Sequence, residues 1–283
     1  MKLPYFEYRA PATLQEALQT LAALGSDAKI IAGGQTLLPI MRYRLSRPAV
    51  LLDLGKVAEL QAADEPVSGR IAPMTTHARL AHNEDATPYG RLLAAHGQQI
   101  AYPAVRNKGT VGGSLVQADP AGDWPLLFLA LNARVELRSL RGTRTVALAD
   151  FISGPMQSDI AIDEILTAVH VEPACTNLTR WGRAKLMLRA GEYAASSAVA
   201  LQRADGRWSC WIGALDAGPM PMKRCAELLA QADAPTPASL MECARADVAQ
   251  AAPEASRSSA GRAQAHRHAV NLARAIEQAL HHA

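Results

Sequence analysis

Two short glycine-rich segments, widely separated in the chain, place the strongest constraint on what this sequence can form. The first spans 32–36 and reads Ala-Gly-Gly-Gln-Thr, and the second, predicted to lie in a loop over 102–114, reads Gly-Thr-Val-Gly-Gly-Ser at 109–114. Each offers several backbone N–H groups and a hydroxyl within a few residues, an arrangement that suits a phosphate. The two segments together could clamp a pyrophosphate. A glycine pair by itself is more typical of a tight turn, and neither segment has the G-x-x-x-x-G-K-[ST] or G-x-G-x-x-G spacing of the common nucleotide-binding loops.

The residues around the first segment predict a βαβ-like beginning. Thr13 and Glu16 form a capping box ahead of a helix whose apolar residues recur at helical spacing. A short buried strand at 29–32 leads into the glycine pair. A helix over 37–45 and a second buried strand at 49–54 are expected to follow.

The rest of the chain mixes helices and strands without an internal repeat. We predict an α+β protein in which 1–55 and 56–172 are two subdomains of a larger unit and 173–283 is a smaller domain. The other predicted elements are strands at 70–73, 135–138, 145–148, 165–171, 198–202 and 208–212 and helices at 88–101, 125–133, 227–230, 237–249 and 262–280.

The composition excludes several classes of protein. Of 283 residues, 49% are apolar and 19% are charged, so a largely disordered chain is excluded. The net charge of +3 arises without a run of basic residues, so no nucleic-acid-binding surface is indicated. No apolar run approaches the roughly 20 residues that span a bilayer, and the first residues lack the apolar core of a secretory signal. We therefore expect no membrane span and a cytoplasmic location.

The four cysteines, Cys175, Cys210, Cys225 and Cys243, are separated by wide gaps. Iron–sulfur clusters and structural zinc sites are usually anchored by closely spaced cysteine pairs, and disulfide frameworks are rare in cytosolic chains of this size. We expect no metal site in this chain and interpret the cysteines as buried, unreactive thiols.

The stretches around both glycine segments resemble a known family. IIAGGQTLLPIMRYRL is similar to the first FAD-binding motif of the medium subunit of molybdenum hydroxylases, the family of xanthine dehydrogenase and aerobic carbon monoxide dehydrogenase. VRNKGTVGGSLVQADPAGDWPLLFLALNA resembles the second motif, and YFEYRAPATLQEAL resembles the beginning of the family's chains. The order and separation of the motifs fit, and the resemblance continues through GEYAASSAVAL, so it covers nearly the whole sequence.

The resemblance implies a fold and a function. The fold would be the two-subdomain FAD-binding fold of the vanillyl-alcohol oxidase and MurB type, followed by a small domain with a three-stranded sheet and helices. The function would be that of an FAD-carrying electron-transfer subunit, which receives electrons from 2Fe-2S clusters of a small partner chain. A large partner chain would hold the molybdopterin, and NAD, oxygen or a quinone would accept the electrons. The family usually assembles as a dimer of heterotrimers.

The resemblance also implies a set of FAD-binding residues. Those of the first segment would cradle the pyrophosphate, those of the second would form the opposing wall, and four more would approach the ribose, the adenine or the flavin. Many relatives have His-Ser where this chain has Gln-Thr in the first segment, which puts a role of that histidine in doubt. The predicted residues are Ala32, Gly33, Gly34, Gln35, Thr36, Leu37, Thr110, Val111, Gly112, Gly113, Ser114, Asp123, Leu166, Lys185 and Tyr193.

Alternatives remain open for several of these residues. Asp123 would bind the adenosine ribose or be the N-cap of the following helix, and Leu166 would pack against the adenine or flavin or be a core strand residue. Lys185 and Tyr193 would lie near the isoalloxazine or be a surface lysine and a core tyrosine. His77 is interpreted as structural or solvent-exposed.

Two other functions also remain open. The chain could be a self-sufficient flavin oxidoreductase of the vanillyl-alcohol oxidase type, although no acid–base pair beside a flavin is evident. It could also be a nucleotide-binding module without activity.

Overall fold

The computed structural model describes residues 2–61, 69–231 and 235–281. Its first part contains a three-stranded parallel sheet in the order β1-β3-β2. The elements are β1 (Glu7–Arg9), α1 (Leu14–Leu24), β2 (Ala28–Ile31), α2 (Leu37–Arg42) and β3 (Val50–Asp53). The βαβ-like beginning is confirmed, while β1 was not predicted. Because the strands are parallel, the carboxyl ends of β2 and β3 meet at one edge, and the first glycine segment leaves from that edge.

Helix α1 forms and packs as its sequence predicts. The Thr13 hydroxyl accepts the Glu16 N–H, and the Glu16 carboxylate accepts the Thr13 N–H, so both halves of the capping box are present. The face that carries Leu14, Leu18 and Leu21 is buried in a cluster with residues of β3. Each such leucine contributes about 1.5–3 kcal/mol by leaving water.

The second part is built around a four-stranded antiparallel sheet in the order β4-β9-β5-β6. Its apolar helix α7 (Asp123–Ala130) is buried along its whole length, as expected of a helix without a polar face. The other elements are β4 (Arg70–Ile71), α3 (His77–Ala81), α4 (Pro88–Gln98), α5 (Pro103–Arg106), α6 (Val111–Gln117), β5 (Arg134–Ser139), β6 (Gly142–Ala147), α8 (Leu148–Phe151), β7 (Ile152–Gly154), β8 (Gln157–Ser158), β9 (Ile165–His170) and α9 (Pro173–Thr176).

The third part has four strands where three were expected. The elements are β10 (Leu178–Leu186), β11 (Ser196–Arg203), β12 (Trp208–Gly213), β13 (Met220–Pro221), α10 (Lys223–Gln231), α11 (Pro237–Ala251) and α12 (Ser259–His281), and the sheet order is β10-β11-β12-β13. The extra strand β13 is two residues long and pairs with Trp211 and Ile212 at the sheet edge. Pro221 has no N–H to donate, so a strand that contains it is restricted to an edge.

The second glycine segment is helical, and the loop predicted over 102–114 is wrong. Helix α5 occupies the first part of that stretch, and α6 begins at Val111. The Thr110 hydroxyl accepts the Gly113 N–H at 3.1 Å and caps α6. The glycine pair therefore lies in the first turn of a helix.

The membrane-spanning character of the helices can be stated for residues 2–61, 69–231 and 235–281. Those ranges contain no helix with the required length and apolar character.

Candidate functional site

The first glycine segment joins β2 to α2 and presents a row of open amides. Gly34 has a φ of +69°, a left-handed conformation that favours glycine. No hydrogen bond joins the N–H groups of residues 33–37 to an acceptor in the described part of the chain. The Gln35 side chain donates to the Gly33 carbonyl oxygen at 3.0 Å and stabilises the turn. Successive open amides of this kind form an anion-binding concavity.

The two glycine segments meet in space, as the sequence predicts. A Cβ atom added at Gly33 would overlap the carbonyl oxygen of Lys108, just before the second segment. A Cβ atom added at Gly113 would lie 3.6 Å from the Cβ of Ala32. Both segments line one cleft of about 1230 Å³, which is larger than the roughly 300–1,000 Å³ of sites for drug-sized ligands.

The amides of 111–114 in the second segment are already bonded within the protein. The Val111 N–H donates to the Thr75 carbonyl at 2.9 Å, and the Gly112 N–H donates to the Pro73 carbonyl at 2.9 Å. The Gly113 and Ser114 N–H groups donate to the Thr110 hydroxyl and carbonyl. The expectation that both segments offer free amides is therefore wrong for 111–114 of the second one. Its glycines instead permit close packing, because a Cβ at Gly112 would lie 2.6 Å from the Cβ of Pro73.

Two hydroxyls along the cleft remain available. Thr36 precedes α2 without capping it, and Ser114 lies in α6. Both line the cleft, and neither side chain has a hydrogen-bond partner among the described residues. Thr110 also lines the cleft, but its hydroxyl is occupied as the cap of α6.

A buried ion pair closes another region of the cleft. Lys185, on β10, places its Nζ 2.9 Å from Asp123 Oδ2 and 3.0 Å from the Gln99 carbonyl oxygen. The side chains of Lys185 and Asp123 are only 2% and 8% exposed, so the surface-lysine alternative is wrong. The N-cap alternative for Asp123 is also wrong, because Gly122 is the cap residue and Asp123 is the first residue of α7. Burial raises the pKa of Asp123, and the Lys185 ammonium opposes that shift.

The contact between these two side chains limits their roles. The resemblance assigned Asp123 to the adenosine ribose and Lys185 to the isoalloxazine. In an extended FAD these two groups lie on opposite sides of the pyrophosphate. Because Asp123 and Lys185 contact each other at 2.9 Å, they cannot bind the adenosine ribose and the isoalloxazine at the same time. At most one of the two assignments therefore holds for an extended cofactor.

Tyr193 lies at the mouth of the cleft, in the connection between β10 and β11. It is 62% exposed, so the core-tyrosine alternative is wrong. Partial desolvation, and after it the charge of nearby Asp119, raise the pKa of Tyr193 to about 12. The same connection is held by Tyr102, whose hydroxyl donates to the Ala190 carbonyl at 2.6 Å, and a Cβ at Gly191 would overlap the Tyr102 ring.

The remaining predicted residues divide between the cleft and the core. Ala32, Gly34, Gln35 and Leu37 line the cleft. Leu166, on β9, also lines it while being 4% exposed, so its two interpretations are compatible. Val111 is fully buried in the core and does not line the cleft.

His77 and Trp124 form a part of the cleft wall that the sequence did not assign to the site. Trp124 Nε1 donates to His77 Nδ1 at 2.9 Å, and the backbone N–H of His77 donates to the Gly109 carbonyl at 2.9 Å. Burial lowers the pKa of His77 to about 4, so the ring is neutral and carries its proton on Nε2. The structural interpretation of His77 agrees with this geometry. The one sequence signal for this structural role is the position of His77 after two threonines, as the first residue of the capped helix α3.

The cleft fits FAD. A row of open amides suits the diphosphate, and two free hydroxyls, a buried ammonium and an aromatic ring line the same cleft. The comparisons with known proteins decide the family. Residues 4–174 match the family described as FAD binding domain in molybdopterin dehydrogenase.

The chain belongs to this family. It is the FAD-binding subunit of an oxidoreductase. It is 44% identical over 211 residues to the nicotine 6-hydroxylase medium subunit of Paenarthrobacter nicotinovorans, covering 74% of this chain and 73% of that one. It is 35% identical to the carbon monoxide dehydrogenase medium chain of Hydrogenophaga pseudoflava, covering 72% and 71%.

Solved structures agree over the whole length of this FAD-binding subunit. Quinoline 2-oxidoreductase from Pseudomonas putida 86 matches with a TM-score of 0.84 and 29% identity, covering 99% of each chain. Carbon monoxide dehydrogenase from Hydrogenophaga pseudoflava, in a form that lacks the Mo-pyranopterin moiety, matches with a TM-score of 0.85 and 27% identity, covering 100% and 99%. The mixed α and β fold with several sheets is therefore that of the family.

Proposed function

We propose that this chain is the electron-transfer subunit of a molybdenum hydroxylase complex, which takes electrons from 2Fe-2S clusters of a small partner and passes them to an external acceptor. The observation that carries the proposal is the row of open amides at 33–37 in a cleft of dinucleotide size. The medium subunits and chains named above are its relatives. Bound FAD supplies the redox chemistry, because a flavin can exchange electrons singly or in pairs.

The first glycine segment would hold the pyrophosphate of FAD. Its open N–H groups would donate to the phosphate oxygens, and the Thr36 and Ser114 hydroxyls would add hydrogen bonds from either side. The second segment would act as a rigid wall rather than as a donor over 111–114, since these amides are bonded to 73–75 and to Thr110. Gln35 holds the turn through its own backbone contact, so the chain would not need the family histidine for this purpose.

The Asp123–Lys185 pair would face the isoalloxazine. Tyr193 supports this assignment, because the Asp123 charge contributes to its raised pKa and both residues line the same region of the cleft. The Lys185 ammonium would stabilise negative charge that develops on the reduced ring, and Asp123 would fix the position of the ammonium. Tyr193 would cover one face of the ring and limit the access of water.

The electron donor would lie in other chains. None of Cys175, Cys210, Cys225 and Cys243 lines the cleft, so the clusters that deliver electrons would belong to the small partner, and the molybdopterin to the large one. The acceptor would be NAD, oxygen or a quinone, and the assembly would be a dimer of heterotrimers. The vanillyl-alcohol oxidase and MurB type of fold and the domain limits at 55 and 172 remain predictions. The core clusters do not coincide with these limits, because one cluster contains Val199 and Leu201 and another contains Val57 and Ile165. The cytoplasmic location also remains a prediction.

The proposal is tested on the protein from its native host. The chain, affinity-tagged at its amino terminus, is expected to copurify with a larger and a smaller chain, and to show the visible absorbance of bound oxidised flavin after gel filtration. The iron and molybdenum of the preparation should elute with those chains. A tagged chain that elutes alone and oxidises a small substrate with its own flavin would support the self-sufficient oxidoreductase instead. A chain that cannot be loaded with FAD would leave only a nucleotide-binding module.

A further inference from the structure

A second group of chemically reactive side chains lies in the third part of the chain, away from the cleft. The thiols of Cys225 and Cys243 and a carboxylate oxygen of Asp247 all lie within 4.8 Å of one another. None of the three residues lines the cleft, and the FAD-binding function does not use them. The sequence did not indicate this group, because its cysteines are far apart in the chain and come together only through the packing of two helices.

The packing of α10 against α11 brings the three possible ligand atoms together between these helices. Cys243 and Asp247 lie four residues apart on α11 and therefore share one face of that helix. Cys225 lies in the first turn of α10, which packs against α11 in the same core cluster. Helix packing, rather than a flexible loop, thus sets the distances between the three groups.

The Asp247 carboxylate is held in a fixed orientation. It accepts the Arg224 N–H at 3.1 Å and the Cys225 N–H at 2.9 Å, at the start of α10. Each carboxylate oxygen keeps a further lone pair, so these bonds orient the group without exhausting it. Hydrogen bonds to ligating carboxylates are a usual supporting feature of metal sites.

We propose that Cys225, Cys243 and Asp247 form a binding site for a thiophilic divalent cation, with Zn²⁺ as the expected ion. Tetrahedral zinc with bonds of about 2.3 Å to sulfur and about 2.0–2.2 Å to oxygen places its ligand atoms about 3.6–3.8 Å apart. The observed spread of up to 4.8 Å therefore requires a closure on the order of 1 Å. Water would occupy the fourth position.

Access and charge agree with this assignment. Cys225 and Asp247 are buried, but Cys243 is only half-buried and gives the ion a route from solvent. Zinc binds cysteine as the thiolate, so cation binding would release the proton of each thiol to the solvent. The bound ion with two thiolates and one carboxylate would carry a single excess negative charge, which lies at the amino end of α10 beside Arg224. The site would fasten α10 to α11 and stabilise this part of the subunit.

The test uses the full chain, reduced and freed of metal with a chelator. Titration with Co²⁺ should produce a thiolate-to-metal charge-transfer band that saturates at one ion per chain, and Zn²⁺ should abolish the band by displacement. Zn²⁺ should also raise the Tm. Absence of the thiolate band in the wild-type chain would overturn the proposal, and this result does not depend on how any variant folds.

Variants then identify the ligands. Cys225→Ser and Cys243→Ser should each lose the band, whereas Cys175→Ser, which changes a buried cysteine outside the group, should keep it. Asp247→Asn preserves shape and should bind Zn²⁺ more weakly while retaining a thiolate band. Persistence of the band in both serine variants, or its equal loss in Cys175→Ser, would contradict the site. Unchanged Zn²⁺ affinity in Asp247→Asn would remove the carboxylate from it.

Discussion

The two glycine segments have similar compositions, but their backbone amides make different hydrogen bonds. At 33–37 the amides have no acceptor in the described part of the chain, whereas at 111–114 every amide is bonded to the protein itself. The first segment is therefore a candidate donor surface and the second a packed wall. The difference shows that glycines next to a ligand cleft have two separate tasks, to free N–H groups for an anion and to let two backbones approach each other.

The largest effect is expected from Gly33→Ala. The added methyl would overlap the Lys108 carbonyl, a backbone group that cannot turn aside, and so would push the open amides away from the second segment. We expect loss of FAD retention, measured as flavin absorbance per chain after gel filtration. Gly154→Ala is the matched control, because its methyl would meet only side-chain atoms at 3.4 Å or more and lies outside the lining of the cleft. Equal FAD retention in both variants would contradict the role of the first segment.

Lys185→Met extends the comparison to the ion pair. Removing one partner leaves Asp123 buried without its counter-charge, which typically costs about 3–5 kcal/mol of folding free energy. Urea unfolding should detect the loss. Asp123→Asn together with Lys185→Met should recover part of it, because the carboxylate that lost the ammonium is then neutral. The recovery is partial because Arg183, which also interacts with the Asp123 charge, keeps its own charge. A single variant as stable as the wild-type chain would show that the pair is not buried in solution.

The wall formed by the second segment should weaken in acid through His77. Burial lowers the pKa of His77 from the ordinary value of 6.5 to about 4 in the folded chain. Between pH 6.5 and pH 4 the unfolded chain therefore binds a proton at this residue and the folded chain does not. Stability is therefore fully present above pH 6.5 and falls as the pH falls towards 4, by about 3 kcal/mol for this residue. His268 contributes in the same direction.

His77→Gln isolates the share of this residue. The free energy of unfolding, measured in urea at several pH values, should fall less steeply with acid in the variant than in the wild-type chain. Identical slopes would show that His77 is not held neutral by burial.

A smaller effect is expected from Gly112→Ala. Its methyl would press on the Cβ of Pro73, and overpacking of this kind costs about 1–3 kcal/mol. We expect a lower Tm but, at a temperature where the chain is folded, an FAD affinity much closer to the wild-type value than that of Gly33→Ala. The reverse pattern, full stability with lost FAD, would mean that the cofactor itself approaches Gly112, where the added methyl would block it.

Local sequence was enough to predict the parts of the fold that rest on local interactions. The Thr13–Glu16 capping box, the strand that leads into Gly33 and the hairpin of β11 and β12 depend on neighbouring residues, and all three are present. The meeting of the two glycine segments was also predicted, from the anion-binding character of both segments and from the resemblance to a family with two such motifs.

What the sequence could not predict depends on partners that are distant in the chain. The acceptors of the Val111 and Gly112 amides belong to Thr75 and Pro73, so no local pattern shows that these amides are occupied. The contact between Asp123 and Lys185 likewise joins α7 to β10. A motif identifies which residues lie near a cofactor, but only the folded chain shows which of their polar groups remain free to bind it.

Amide hydrogen exchange of the chain with and without FAD tests the central claim most directly. We expect that, without FAD, amides 33–37 exchange rapidly and amides 111–114 slowly, and that FAD protects the first group while leaving the second almost unchanged. Protection by FAD that appears at 111–114 and is absent at 33–37 would contradict the assignment of the pyrophosphate to the first glycine segment.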